Sequence, residues 1–192
     1  MTVARRMGPA GSETWLAMIG AAEHILRDRG YGELTSRSVA EHIGVKQRLV
    51  YYYFRTMDEL IVETFKQLAV REIERFQEAL ETNHSPRAIW RVLAQTEDTK
   101  LVSEFMALAN RSDALREQVT LHIEESRKLQ VAAMEKSLKA TGKPLALAPV
   151  ATVILASATA LALHREAGLG VTSGHAEVFA AIEQFIDIYD PE

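Results

Sequence analysis

The sequence predicts an all-α chain of about nine helices, and three observations carry that reading. Apolar residues recur at spacings of three and four almost throughout. No run alternates apolar and polar residues long enough for a half-buried strand, and residues that start or stop helices separate the periodic runs. At 192 residues, 47% apolar and 25% charged, the composition is that of an ordinary globular chain able to bury a core.

Taken in order, Trp15, Met18, Ile19, Ala22, Ile25 and Leu26 form one helical stripe, and Gly30 stands where a C-cap glycine would. Thr35 or Ser36 can cap a second, short helix to about His42; Gly44 breaks it, and a third runs from about Gln47 to Tyr53. Thr56-Met57-Asp58-Glu59 is a capping box opening a long helix to about Leu80, with Leu60, Phe65, Leu68, Ile73, Phe76 and Leu80 as its apolar positions. Ser85-Pro86 starts the next helix, with Trp90 and Leu93 facing inward. Further helical patterns cover about 98–109, 112–141, 146–166 and 175–189, parted at Ser112-Asp113, Thr141–Pro144 and Gly168–Gly174. The stretch Leu145–Leu163 is uncharged and nearly long enough to span a bilayer. Alanine is its commonest residue, Pro149, Thr152, Ser157 and Thr159 lie inside it, and it reads as a buried helix rather than a membrane span.

The absence of cysteine removes disulfides, thiol nucleophiles, thiolate zinc sites and iron–sulfur clusters, and suits a reducing, cytoplasmic setting. Nucleophile elbow, Walker loop and His-Glu-x-x-His are all missing. The six histidines (24, 42, 84, 122, 164, 175) are scattered, so neither an enzyme nor a metal or cofactor site is expected. His122 and Glu125, one helical turn apart, make at most half a metal set, and a surface or pocket-rim histidine is the simpler reading. Gly168–Gly174 follows a helix rather than a strand and reads as a turn, not a phosphate loop.

Net charge is −4 but unevenly placed. Residues 1–56 hold eight Lys/Arg against five Asp/Glu, a balance of +3, leaving −7 on 57–192. A basic head on an acidic body suggests a polyanion-binding module, and the expected domains are 1–56 and 57–192.

Within the head, two short helices joined at Gly44 form a helix-turn-helix. Ala40 is small where the helices approach, and Val39, Ile43, Val45, Val50 and Phe54 supply an apolar seam. That leaves Lys46, Gln47, Arg48 and Leu49 at the end of the second helix that enters a major groove in this motif. Arg48 suits a guanine edge, Gln47 an adenine edge and Leu49 a thymine methyl. Tyr51, Tyr52 and Tyr53 offer hydroxyls, but consecutive helical residues point 100° apart, so two reach phosphates while one packs the domain. Thr35, Ser36, Arg37 and Arg55 are further phosphate donors. Arg5 and Arg6 suit either a minor-groove arm or a solvated tail.

Residues 14–65, above all Leu34-Thr35-Ser36-Arg37, Gly44-Val45, Tyr51-Tyr52-Tyr53-Phe54 and Glu59-Leu60, resemble the DNA-binding domain of the TetR family of bacterial transcriptional regulators. The resemblance implies a homodimer on double-stranded DNA with a palindromic operator, most often a repressor. It further implies a C-terminal domain that takes a small-molecule effector and releases the DNA. Met57 stands where the family usually has a phosphate-contacting lysine, for which Arg55 or free backbone N–H groups of that helix start can substitute. Lys46 and Arg48 are bulkier than the family's usual residues, so a relative's operator sequence does not carry over.

The last two helices read as a dimerisation surface or as an intramolecular core, with Val178, Ile182, Phe185 and Tyr189 as the stripe of the final helix. The resemblance favours the dimer. It also implies that Trp90, Phe105, Met106, His122, Met134 and Thr152 come from helices around an apolar pocket, though each taken singly reads more readily as core. Other readings are an activator of the same family and a dimeric adaptor that docks protein through the helix-turn-helix.

Overall fold

The computed structural model describes residues 8–82, 85–94, 99–143 and 146–190. Arg5, Arg6, His84, Pro144 and Leu145 lie outside them. Among the described residues there are nine α-helices and no strand: α1 (Glu13–Arg29), α2 (Ser36–His42), α3 (Arg48–Tyr53), α4 (Met57–Thr82), α5 (Pro86–Ala94), α6 (Thr99–Ala109), α7 (Asp113–Thr141), α8 (Pro149–Gly168) and α9 (His175–Tyr189). A 3₁₀ turn at Tyr31–Glu33, which the periodicity does not reveal, links α1 to α2.

The punctuation works as its chemistry requires. Ser12 caps α1, its hydroxyl accepting from the Trp15 N–H, and Gly30 ends it at φ 79°. Thr35 caps α2 in a reciprocal box with Ser38. The turn to α3 places Gly44 at φ 71°, a left-handed conformation cheap for glycine alone. At the start of α4 the Thr56 hydroxyl accepts from the Glu59 N–H, while the Glu59 carboxylate reaches back to the N–H of Arg55, one residue before the cap. α8 starts at Pro149 rather than at residue 146, because proline is pre-set for the first helical position.

The chain forms two compact units: residues up to Val70 with Lys100–Thr120, and Arg71–Thr99 with everything from Leu121 onward. In the first, Met18, Ile25, Leu26, Val39, Val50, Phe54, Leu60 and Phe105 are essentially sealed from solvent. Trp15 lies against Phe54 with ring centroids 5.8 Å apart, and Phe65 meets Phe105 edge-on at 5.2 Å. Arg116 secures the corner between α6 and α7, donating to the carbonyls of Ala109 and Asn110.

In the second unit α5 packs on α8 and α9. Ile89, Met134 and Val153 form one buried cluster, and Trp90, Ala160 and Ile186 another. Arg87 on α5 donates to the carboxylates of Glu183 and Asp187 on α9, and its own backbone N–H to Asp190. His164 bonds the Ala94 carbonyl, and His175 meets Glu166 at 3.0 Å.

α8 corrects one expectation. It is long and apolar enough to cross a membrane by length and composition, but it is not a buried helix: only 22% of its most apolar window is covered within the chain. Thr152, Val153, Ala160 and Leu163 face inward, whereas Val150, Ile154, Leu155 and Leu161 stand exposed. Apolarity around the whole helix is legible in a sequence; what covers each side is not.

Two glycines in the first unit give opposite expectations. A Cβ at Gly44 meets nothing within 4 Å, so Gly44→Ala loses only backbone ease, about 1–2 kcal/mol of stability. Gly20, inside α1 and equally unobstructed, gains about 1 kcal/mol on Gly20→Ala from helix propensity alone. Urea denaturation of the two variants checks both signs.

Candidate nucleic-acid interface and ligand cavity

α3 has only six residues, too few to hold a helix in water, so its orientation comes from docking. Val50 and Phe54 turn inward onto Val39 and Ala40 of α2 and the α1 face; Ile43 and Val45 of the expected seam are only half-buried. The opposite side of the motif is polar. Lys46, Gln47 and Arg48 are exposed and Leu49 is half-buried beside them. Thr35, Arg37 and Arg55 are exposed as well, and Arg37 is paired with Glu41 at 2.7 Å, a bond that holds its guanidinium above the ordinary value.

The tyrosine run divides by helical angle. Tyr51 is 52% exposed, Tyr52 half-buried, and Tyr53 only 9% exposed. Tyr53 lies under Gly8, where a Cβ would come within 2.0 Å of the ring. The arrangement of Ser36 is one the local sequence does not disclose. It is buried, its hydroxyl donates to the Tyr51 oxygen at 3.0 Å, and it accepts from the Gln47 side-chain amide at 2.8 Å. Ser36 thus fastens two exposed side chains of the tip to the start of α2 instead of facing solvent itself. At the start of α4, the backbone N–H groups of Arg55 and Glu59 are committed to the cap, and the exposed Arg55 side chain is a cation near the position of Met57.

The second unit contains a cavity of about 360 Å³, in the range of small-molecule sites. Of the candidate ligand residues, Trp90, Met134 and Thr152 line it. Phe105 and Met106 do not: they belong to the first unit, where Phe105 packs on Phe65. His122 is absent from the lining too; burial pushes its imidazole below the ordinary value, with Glu72 and Glu125 opposing that shift. The stripe Val178, Ile182, Phe185 and Tyr189 faces this cavity, while Phe179 and Ile188 occupy the outer side of α9. Helical spacing alone does not distinguish a stripe that faces its own chain from one that faces a second copy.

His24 and His42 come together across α1 and α2, with rings 4.7 Å apart and His24 on Asp28 at 3.0 Å. No group of three or more metal-binding side chains occurs among the described residues.

Comparison with known proteins bears on both units. The chain resembles in fold a protein from Rhodococcus sp. described as a TetR-family transcriptional regulator, with TM-score 0.74 and 21% identity over 93% of this chain and 99% of that one. A transcriptional regulator from Saccharomonospora viridis, solved in complex with choline, superposes with TM-score 0.80 at 13% identity, covering 91% of this chain and 96% of that one. In sequence, 64 residues are 27% identical to the fatty acid metabolism regulator protein of Bacillus subtilis, a match spanning 33% of each protein, so only a third of that relative's length is represented. The model for bacterial regulatory proteins of the TetR family matches residues 18–64, which run from the second turn of α1 through α2 and α3 into α4. That segment holds the docked α3 and its polar tip, so it is residues 18–64 that match the TetR family, while the likeness in fold extends over nearly all of the chain.

Proposed function

We propose that the protein is a homodimeric transcriptional repressor that binds a palindromic operator through α3 and releases it when a small apolar or amphipathic ligand enters the second unit. One observation carries the DNA-binding part: Lys46, Gln47 and Arg48 stand exposed together at the start of a helix whose other face is sealed into the domain. Arg48 reads a guanine edge, and Tyr51, Thr35 and Arg55 hold phosphates. The exposed apolar side of α8 and α9, with Ile154, Leu155, Leu161 and Phe179, supports two-fold pairing, which an inverted repeat mirrors. The choline complex of the Saccharomonospora viridis protein supports reading this chain as one that takes a small-molecule effector.

Selection of bound duplexes from a random pool tests the proposal. The expected outcome is an enriched inverted repeat whose affinity falls steeply with salt as phosphate contacts release counterions. Weak, salt-insensitive binding without enrichment overturns it. Arg48→Ala is expected to cost about 1–3 kcal/mol on the selected operator and to relax preference at one position per half-site. Tyr51→Phe is expected to weaken all sequences by a similar factor; both are read by titration against an operator panel. Phe179→Glu, which puts a charge into the apolar side, is expected to give monomers in sedimentation with at least tenfold weaker operator binding.

A further inference from the structure

We infer that the cavity of the second unit takes an electrically neutral, apolar ligand of about a dozen non-hydrogen atoms, held by apolar contact rather than by a charged head group. This inference rests on reading that unit as the effector domain. The cavity's volume, about 360 Å³, is roughly twelve times the 30 Å³ that one water occupies in the liquid. Its wall is built almost wholly from carbon: Ile89, Trp90, Met134, Val153, Ile182 and Phe185 dominate, and none of the lining residues is ionisable at neutral pH.

Three hydroxyl oxygens in that wall already make hydrogen bonds within the chain. The Thr152 hydroxyl donates to the Ala148 carbonyl and that of Thr159 to the Leu155 carbonyl, as hydroxyls inside helices commonly do. The Tyr189 oxygen accepts from the Ala146 N–H. Arg87, which follows Pro86, is paired with Glu183 and Asp187 of α9. A carboxylate buried here therefore meets no cation. An ammonium meets the aromatic rings of Trp90, Phe185 and Tyr189 but no carboxylate in the wall. Burying an ion without a partner is costly, whereas a neutral hydrocarbon gains from every covered surface.

Three probes with one tail and different heads, decanol, decanoate and decyltrimethylammonium, separate the possibilities in calorimetric titrations of the full-length protein. Binding of one decanol per chain, with both ions at least tenfold weaker, is the expected result. Ala156→Phe, which fills the wall from α8, is then expected to abolish decanol binding while operator binding stays intact, showing that the variant is folded. Equal binding of either ion overturns the neutral class; if that ion also releases operator, the effector reading stands. Decanol that binds but leaves operator in place supports the ligand class and defeats the effector reading. Binding of none of the three overturns the inference.

Discussion

A six-residue helix has no independent existence in water, and the exposed tip of the helix-turn-helix depends on that constraint. α3 is held only by what it docks onto. Val50 and Phe54 plug into a floor made by Val39, Ala40 and the inward face of α1, with Trp15 against the Phe54 ring. Burying a side chain of this kind contributes about 1.5–3 kcal/mol, which offsets much of the cost of ordering so short a segment. The left-handed Gly44 sets the angle at which α3 arrives. Every exposed side chain at the tip inherits its position from this buried joint.

Ser36 refines the same principle at the surface. By holding the Gln47 amide and the Tyr51 hydroxyl in one chain of hydrogen bonds, it removes rotamer freedom from two side chains before any partner arrives. Ordering such side chains at an interface costs about 0.5–1.5 kcal/mol each, and a tip fixed in advance meets less of that cost on binding.

Much of this architecture was legible in the sequence. The caps at Thr35, Thr56 and Pro86 and the turn glycines Gly30 and Gly44 are local signals, each acting within a few residues, and the helices begin and end near them. Where the reading departed from the structure, the missing information was tertiary. Ser36 reads as a phosphate donor by its place at a helix start, but its partners lie 11 and 15 residues away. Phe105 is apolar and helical, as a pocket residue would be, yet it closes the core of the first unit. Val178, Ile182, Phe185 and Tyr189 are a genuine stripe, and only the three-dimensional packing shows that they line a cavity of their own chain. The same limit explains α8, whose length and apolarity were evident and whose exposure was not.

The contact between Arg87 and the end of α9 has a consequence in terms of helix polarity. Carbonyl dipoles make the last turn of a helix electronegative and the first turn electropositive, so acids are unfavourable at the former and a base at the latter. α9 nevertheless carries Glu183, Asp187 and Asp190 toward its C-terminus, and α5 carries Arg87 in its first turn. Arg87, Asp187 and Asp190 are of the wrong sign for the helix end each lies near, whereas Arg91 at the end of α5 and Glu177 at the start of α9 suit theirs. Side by side, the guanidinium and the carboxylates cancel both mismatches at once. The pairing thereby works as an address label: any register that slides α9 past α5 leaves two helix ends opposed by their own charges, and the packed arrangement is favoured partly because its neighbours are worse.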